Sequence, residues 1–298
     1  MSISGPRADR PTGPRPPHPA TGVRHPHSAG GVLRHWRERR RLSQLELSNQ
    51  AEVSTRHLSF VETGRAAPSR DMLLRLAESL DMPLRERNAL LLAGGFAPVY
   101  PETEVDAPAM SGVRRALAQV LRAHEPFPAV VVDRHWDLVD ANRSVALLTA
   151  LADEELLRPP VNVLRLSLSP DGLAPAIVNL GEWRAHLLSR LHRQVDFSGD
   201  AELRALLEEL RAFPCDQPEP EVEMPGPGEV VLPLRLCPPG GGPTLSFFST
   251  VSTFGTPLDV TVAELVLEQF FPADDVTADA LRDGMSFGVQ PHVGDGAG

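Results

Sequence analysis

Hydrogen-bond donors suited to a polyanion are concentrated between residues 43 and 70 of this 298-residue chain. They are the hydroxyl, amide, imidazole and guanidinium groups of Ser43, Gln44, Thr55, Arg56, His57, Ser59, Arg65 and Arg70. An Arg side chain can donate two parallel hydrogen bonds to a guanine edge or to a phosphate, and the shorter polar side chains can donate to either. These residue types favour contact with a nucleic acid, while a solvated surface charge is the alternative for each Arg.

Helix start signals place these donors on two short helices. Ser43 and Glu46 have the spacing of a capping box, which predicts a helix over residues 44–51. Ser54 is a second N-cap and predicts a helix over residues 55–62. Two short helices joined by a tight turn, the second polar on one side, are typical of a helix-turn-helix motif, whose second helix enters the DNA major groove.

Apolar periodicity predicts three further helices around this pair, over residues 32–41, 70–80 and 84–93. Ser69 is the expected cap of the middle one, and Pro83 ends it. The first part of the chain is therefore predicted to be an all-α domain of five helices.

The motif assigns a role to each donor. Ser43 and Gln44 begin the first helix, where the helix dipole favours a phosphate. Thr55, Arg56 and Ser59 share the polar side of the second helix and are predicted to face bases. Residues predicted to flank that face or to hold the phosphate backbone beyond it are His57, Phe60, Arg65 and Arg70.

The segment LSQLELSNQAEVSTRHLSFVETGRAAPSRDMLLRLAESL resembles the lambda-repressor-like (XRE, Cro/C1-type) DNA-binding domains. The likeness lies in the LSQ opening, the Ser that begins the second motif helix, the E-x-G closure and the PS before the next helix. It implies that Arg37 and Glu62 form a partly buried ion pair with a structural role. Glu52 departs from the pattern, because the family commonly has Gly in this turn.

The charge of the chain is divided unevenly along its length. The formal net charge of -10 argues against a DNA contact, but residues 1–94 hold 15 Arg and 9 acidic residues, whereas residues 95–298 hold 14 Arg and 30 acidic residues. A basic module joined to an acidic one predicts that nucleic acid is bound through the first module alone.

Composition and periodicity predict five segments. Residues 1–30 contain seven Pro and four Gly without apolar periodicity, which predicts a disordered arm. The helix-turn-helix domain is predicted over 31–95, and the Pro- and acid-rich strip over 96–110 is predicted to be a linker acting as a hinge. A second domain over 111–284 and a disordered tail over 285–298 complete the chain.

The second domain has mixed α+β patterning. Helices are predicted over residues 113–124, 141–151, 181–194 and 200–212, with a Leu-rich segment at 161–168. Strands are predicted at residues 129–133, 136–140, 230–237 and 244–254, the last two joined by a PPGGGP turn. Strands first and last with helices between them predict one sheet covered by helices.

This order, with FPAVVVDRHWDLVDANRSVALL, NVLRLSLSP, GEW and the late hairpin, resembles the MmyB-like ligand-binding domain from about His124 to Leu281. The resemblance implies a PAS-like fold, a curved antiparallel sheet whose helices enclose a small-molecule cavity, and it is compatible with an apolar or fatty-acyl ligand. The candidate ligand-binding residues are Val131, Trp136, Asn142, Trp183, Leu187, Leu232, Leu234 and Phe247. The alternative is core packing for the apolar residues and a helix cap for Asn142.

Several classes of site are not predicted. The chain lacks GxSxG, HExxH, GxxxxGK[ST] and GxGxxG, so no catalytic residue and no cofactor is expected. Cys215 and Cys237 lack metal-ligand spacing, and a metal site at His18, His25 and His27 is not expected either. No apolar run approaches the roughly 20 residues of a membrane span, so no membrane partner and a cytoplasmic, nucleoid-associated location are expected.

Together these patterns predict a transcriptional regulator that binds a double-stranded DNA operator as a homodimer and senses a small-molecule effector. One alternative is a constitutive DNA-binding factor whose second domain serves only dimerisation or protein interaction. Another is a protein-interaction adaptor with a vestigial helix-turn-helix.

Overall fold

The computed structural model describes residues 28–220, 232–237 and 242–283. They form two compact units. The first runs up to Met82 and includes Ala89–Ala97, and the second comprises Pro83–Asn88 and the chain from Pro98 onward. The predicted tail, the His18, His25 and His27 group, most of the PPGGGP turn and all but three residues of the predicted arm lie outside the described residues.

The first unit is built from the five predicted helices: α1 Ala29–Arg39, α2 Gln44–Gln50, α3 Thr55–Glu62, α4 Arg70–Ser79 and α5 Leu84–Ala93. The hydroxyls of Ser28, Ser43, Ser54 and Ser69 each accept a hydrogen bond from a backbone N–H in the first turn of α1 to α4. At Ser43 the bond is reciprocated by Glu46, which completes the capping box. Helix α1 begins at Ala29, two residues before the predicted domain boundary.

A glycine sets how closely α1 approaches α3. A Cβ atom on Gly30 would lie 2.1 Å from the carbonyl oxygen of Val61. Glycine therefore lets the two backbones touch, and the buried side chains of Leu33, Leu47 and Leu58 fill the core beside this contact.

The second unit has seven helices and five strands in its described part, besides the residues of α5 that it includes. The helices are α6 Ser111–Ala123, α7 Ala146–Thr149, α8 Val163–Leu168, α9 Leu180–Ser198, α10 Ala201–Ala212, α11 Val260–Glu264 and α12 Asp275–Arg282. The strands are β1 Ala129–Val132, β2 Leu138–Ala141, β3 Leu234–Leu236, β4 Leu245–Ser252 and β5 Val266–Pro272. The sheet is antiparallel in the order β2-β1-β5-β4-β3.

Strand β5 was not predicted from the sequence, although it lies in the middle of the sheet between β1 and β4. Glu268 and Gln269 interrupt its apolar pattern, so VLEQFFP does not have the alternation of a strand. Other predicted elements are also shorter than expected. Of the described residues in the strand predicted over 230–237, only Leu234–Leu236 form a strand. The helix over 141–151 is a 3-10 turn followed by α7, and the strand expected from Trp136 begins at Leu138.

The two faces of the sheet have separate cores. Val130 and Val132 of β1 pack with α8, α9 and α10, whereas Ala129 and Val131 pack with α6. This alternation follows from the two-residue period of a strand, and it decides which side chains can reach a cavity on a given face.

The strip predicted as a hinge has no helix or strand before the 3-10 turn at Pro108–Met110, but its backbone is held in place. The Asn88 side chain accepts hydrogen bonds from the Val99 and Tyr100 N–H groups, both at 3.1 Å. The Thr103 hydroxyl donates to Asp259 at 2.6 Å. From Pro98 onward the strip is thus hydrogen-bonded to other residues of the second unit.

Candidate functional site

Helix α3 presents the side chains that were predicted to face bases. Arg56 and His57 are exposed, and Ser59 and Phe60 are partly buried. The Arg56 guanidinium lies over the Phe60 ring, 5.4 Å from its centre, because the two residues are one helical turn apart. The Thr55 hydroxyl is 2.7 Å from that of Ser48, so this side chain joins α2 to α3.

Glu62 orients α1, α2 and α3 with respect to one another. Its carboxylate accepts hydrogen bonds from Arg37 Nε at 2.7 Å and Nη2 at 3.0 Å, which is the expected buried ion pair. The Gln44 amide also donates to it, at 2.8 Å. Sequence reasoning placed the Gln44 side chain at a phosphate, whereas here it is bound to Glu62.

The turn between α2 and α3 has a left-handed residue. Glu52 has φ of 52°, a region that is unfavourable for a residue with a Cβ. The position is the one at which the resemblance led us to expect Gly. Beyond α3, the exposed Arg65 and Arg70 follow the helix and begin α4, respectively.

An apolar cavity of about 70 Å³ lies between the sheet and the helices of the second unit. Four of the predicted ligand-binding residues line it: Trp136, Trp183, Leu187 and Leu234. The other residues of its wall are Val130, Leu138, Val145, Leu148, Thr149, Val163, Leu164, Leu166, Ser167, Leu173, Glu268 and Phe270.

The other four predicted residues are not part of this wall. Val131 faces the α6 side of the sheet, and Leu232 and Phe247 pack into the core around the cavity. Asn142 is at the start of the 3-10 turn but makes no side-chain cap. Its side chain instead accepts from the Ala129 N–H and donates to the carbonyls of Leu121 and Phe127, so it joins the last turn of α6 to the start of β1.

Sequence reasoning missed the polar groups at this cavity. Glu268 is buried in its wall and pairs with Arg190 of α9. The Ser167 hydroxyl, also in the wall, accepts a hydrogen bond from the Trp183 indole at 2.9 Å. A Glu at an inward position of a strand was the available signal, but it could be recognised only once β5 had been assigned.

Metal and membrane sites were also sought in the described part of the chain. No group of three His, Cys, Asp or Glu side chains there could hold a metal ion. None of the helices described has the length and apolarity to cross a membrane.

Solved structures resemble the chain only distantly. One is the clp gene regulator ClgR from Corynebacterium glutamicum, with 23% identity over 34% of this chain and 93% of that one and a TM-score of 0.21. Another is an RNA-binding light-oxygen-voltage receptor, with 16% identity over 86% of this chain and 60% of that one and a TM-score of 0.25. A comparison with curated proteins gives no significant match.

Family models match both parts of the chain. A model described as a helix-turn-helix domain matches residues 28–90, and one described as an MmyB-like transcription regulator ligand binding domain matches residues 113–283. Together they indicate a DNA-binding transcription regulator, and neither describes an enzyme. Because the second model spans more than half of the sequence, the chain belongs to the family of MmyB-like transcription regulator ligand binding domains, joined here to an N-terminal helix-turn-helix domain.

Proposed function

We propose that the chain is a sequence-specific regulator whose α3 reads an operator in the DNA major groove. The observation that carries the proposal is the exposure of Arg56 and His57 on a capped helix that the buried Arg37–Glu62 pair fixes in place. In this reading Arg56 and Ser59 contact bases, and Arg65, Arg70 and the N-terminus of α2 contact phosphates. Thr55 holds α2 against α3 through its hydroxyl, which lies 2.7 Å from that of Ser48.

The regulator acts as a homodimer on two half-sites. Helix α3 has eight residues and can reach only a few base pairs, so one copy gives little discrimination. Two copies related by a twofold axis would read half-sites roughly 34–36 Å apart, or a multiple of that spacing.

The second unit is a PAS-like sensor for a small, mainly apolar molecule. An antiparallel sheet and helices that enclose an apolar cavity support this assignment. A ligand changes operator affinity only if it binds the operator-competent form and the incompetent form with different affinities.

Operator selection tests the DNA part of the proposal. The full-length chain is used to select from a random double-stranded DNA library, and the enriched sites are sequenced. We expect two inverted half-sites spaced by about one helical turn, with sedimentation of the complex as a dimer. Enrichment of no sequence, or of single unpaired sites bound by one copy, would contradict the proposal.

The size of the cavity favours a second candidate, a constitutive DNA-binding factor whose second unit only assembles the protein. At about 70 Å³ the cavity is smaller than the ~300–1,000 Å³ typical of ligand pockets. Native mass spectrometry of the purified chain separates the two candidates. A retained small molecule supports the sensor, and an empty chain whose operator affinity no small molecule changes supports the constitutive factor.

A further inference from the structure

Glu268 places a carboxylate on the face of the sheet that otherwise packs apolar side chains. In β5 it faces the same side as Phe270, toward the cavity, while Leu267 faces the α6 side. Only 6% of its surface is exposed. Removing a carboxylate from water costs several kcal/mol, and a hydrophobic residue of similar volume would fill this position at lower cost. Folding alone therefore does not account for it.

Arg190 uses only part of the hydrogen-bonding capacity of the Glu268 carboxylate. Both carboxylate oxygens contact the same atom, Nη1 of Arg190, at 3.3 and 3.2 Å. A carboxylate has about four acceptor sites, and a well-formed Arg pair uses two nitrogens at about 2.7–2.9 Å. In the part of the chain that the structure describes, Glu268 thus keeps acceptor capacity at the cavity wall.

Trp136 holds Arg190 in this position. The Arg190 guanidinium lies 4.4 Å from the centre of the Trp136 ring, and the Trp136 indole donates to Gln194 at 2.8 Å. Trp136 has φ of 69°, an outlier for a bulky side chain, and such strain concentrates at functional sites. Trp136 thus fixes the position of Arg190 through its ring face while Gln194 fixes its indole edge.

An additional charge is unfavourable beside this pair. Arg190 already neutralises Glu268, so a second charge would be buried without a counter-ion. His186 lies in the same region, because its ring stacks on that of Trp183 with the ring centres 5.8 Å apart. Burial, the largest cause, and the nearby positive charge of Arg190 lower its pKa, while the Glu268 carboxylate opposes this shift. An anion, for its part, would face the Glu268 carboxylate.

We infer that the cavity takes a compact, uncharged, mainly apolar molecule bearing a hydroxyl group, and that this hydroxyl donates a hydrogen bond to Glu268. The inference rests on the proposed sensor function and narrows its ligand class. The Ser167 hydroxyl, whose oxygen already accepts from Trp183, still has a proton to donate to the oxygen of such a ligand. Free fatty acids are disfavoured by this wall, because their carboxylate would meet Glu268.

A matched set of one-ring probes tests the inference on the full-length chain: toluene, benzyl alcohol, benzylammonium and benzoate at pH 7. The readout is the indole signals of ¹⁵N-labelled tryptophan, since Trp136 and Trp183 line the cavity and Trp36 lies in the first unit. We expect benzyl alcohol to shift the Trp136 and Trp183 signals and to bind about tenfold more tightly than the other three, the gain of one hydrogen bond to a charged group.

Two variants make the test specific. In Glu268→Gln the weaker amide acceptor should reduce benzyl alcohol affinity severalfold and should abolish the discrimination against benzoate. Glu209→Gln is the matched control, because Glu209 is a carboxylate paired with Arg165 away from the cavity, and it should leave the ranking unchanged.

Each remaining outcome has a defined meaning. Benzoate or benzylammonium binding as tightly as benzyl alcohol, or a ranking that Glu268→Gln leaves unchanged, overturns the inference while the ligand cavity stands. If no probe moves the Trp136 or Trp183 signal, the inference is overturned, and the sensor function is then decided by the native mass spectrometry described above. The wild-type ranking is decisive even if Glu268→Gln does not fold.

Discussion

Glu62 is the residue through which the helix-turn-helix is fixed. Its side chain is only 1% exposed, yet it accepts hydrogen bonds from Arg37 of α1 and Gln44 of α2 while belonging to α3. Its hydrogen bond raises the pKa of Arg37 above the usual range. The orientation of the recognition helix therefore depends on one buried carboxylate.

Replacing Glu62 with Ala should lower the free energy of unfolding by about 3–5 kcal/mol, because the buried Arg37 would lose its close partner and keep the more distant, half-exposed Glu38 at 3.8 Å. Urea denaturation measures this change. Glu155→Ala is the control, since Glu155 pairs with Arg158 and both side chains are exposed, and it should have little effect. Equal losses in both variants would show that the Arg37–Glu62 pair is not structurally important.

Arg56 and Arg65 should have different effects on operator binding. Arg56→Ala should cost about 1–3 kcal/mol at the selected operator and relax base preference at one position. Arg65→Ala should weaken binding to all sequences and reduce the salt slope by about one. Fluorescence titrations against operator and scrambled DNA at several salt concentrations separate the two, and identical behaviour would contradict the assignment.

His186 should make stability depend on pH. Because burial lowers its pKa in the folded chain, the unfolded chain binds more protons below its ordinary pKa of 6.5. The contribution of His186 to the free energy of unfolding is thus complete above pH 6.5 and decreases as pH falls toward the folded pKa. In His186→Phe, which retains a ring against Trp183, this pH dependence should be shallower by urea denaturation. An unchanged slope would contradict the buried neutral imidazole.

At the scale of the elements, the turn between α2 and α3 contains backbone strain at Glu52 that a glycine would relieve. Glu52 adopts φ of 52° and is exposed, so its side chain is not needed for packing. A left-handed conformation costs a residue with a Cβ about 1–2 kcal/mol, from which the entropy cost of Gly must be subtracted.

Glu52→Gly should therefore stabilise the chain by about 0.5–1 kcal/mol. Thermal unfolding measures the effect, with Glu78→Gly inside α4 as a control that should destabilise by about 1 kcal/mol. A loss of stability in Glu52→Gly would mean that the left-handed backbone is not strained.

At the scale of the whole molecule, the uneven distribution of charge gives the two parts of the chain opposite electrostatic effects on DNA. Residues 1–94 carry an excess of Arg and residues 95–298 an excess of acids, so the two parts should act on DNA with opposite sign. The acidic part would then reduce nonspecific association.

Neutralising three exposed acids of the second unit, as Glu104→Gln, Glu154→Gln and Glu208→Gln together, should strengthen binding to nonspecific DNA at low salt. The difference from the unmodified chain should vanish as salt increases, because exposed charges are screened. Binding curves on scrambled DNA check this, and equal affinities at low salt would contradict it.

The sequence by itself determined the elements whose signals are local. The caps Ser43, Ser54 and Ser69 act within three residues, so the helices that bear Arg56 and Arg70 could be located without a structure. Strand β1 and the long helices of the second unit were found for the same reason, from periodicity within a single element.

The tertiary structure decided everything that depends on distant partners. Strand β5 is central because β1 and β4 pair with it on either side. Its buried Glu268 pairs with Arg190, a residue 78 positions away in sequence that only the fold brings close. Gln44 and Asn142 likewise bind Glu62 and the backbone of Ala129, which capping and periodicity signals do not predict. Folding brings such partners together, and no short-range pattern encodes their distance.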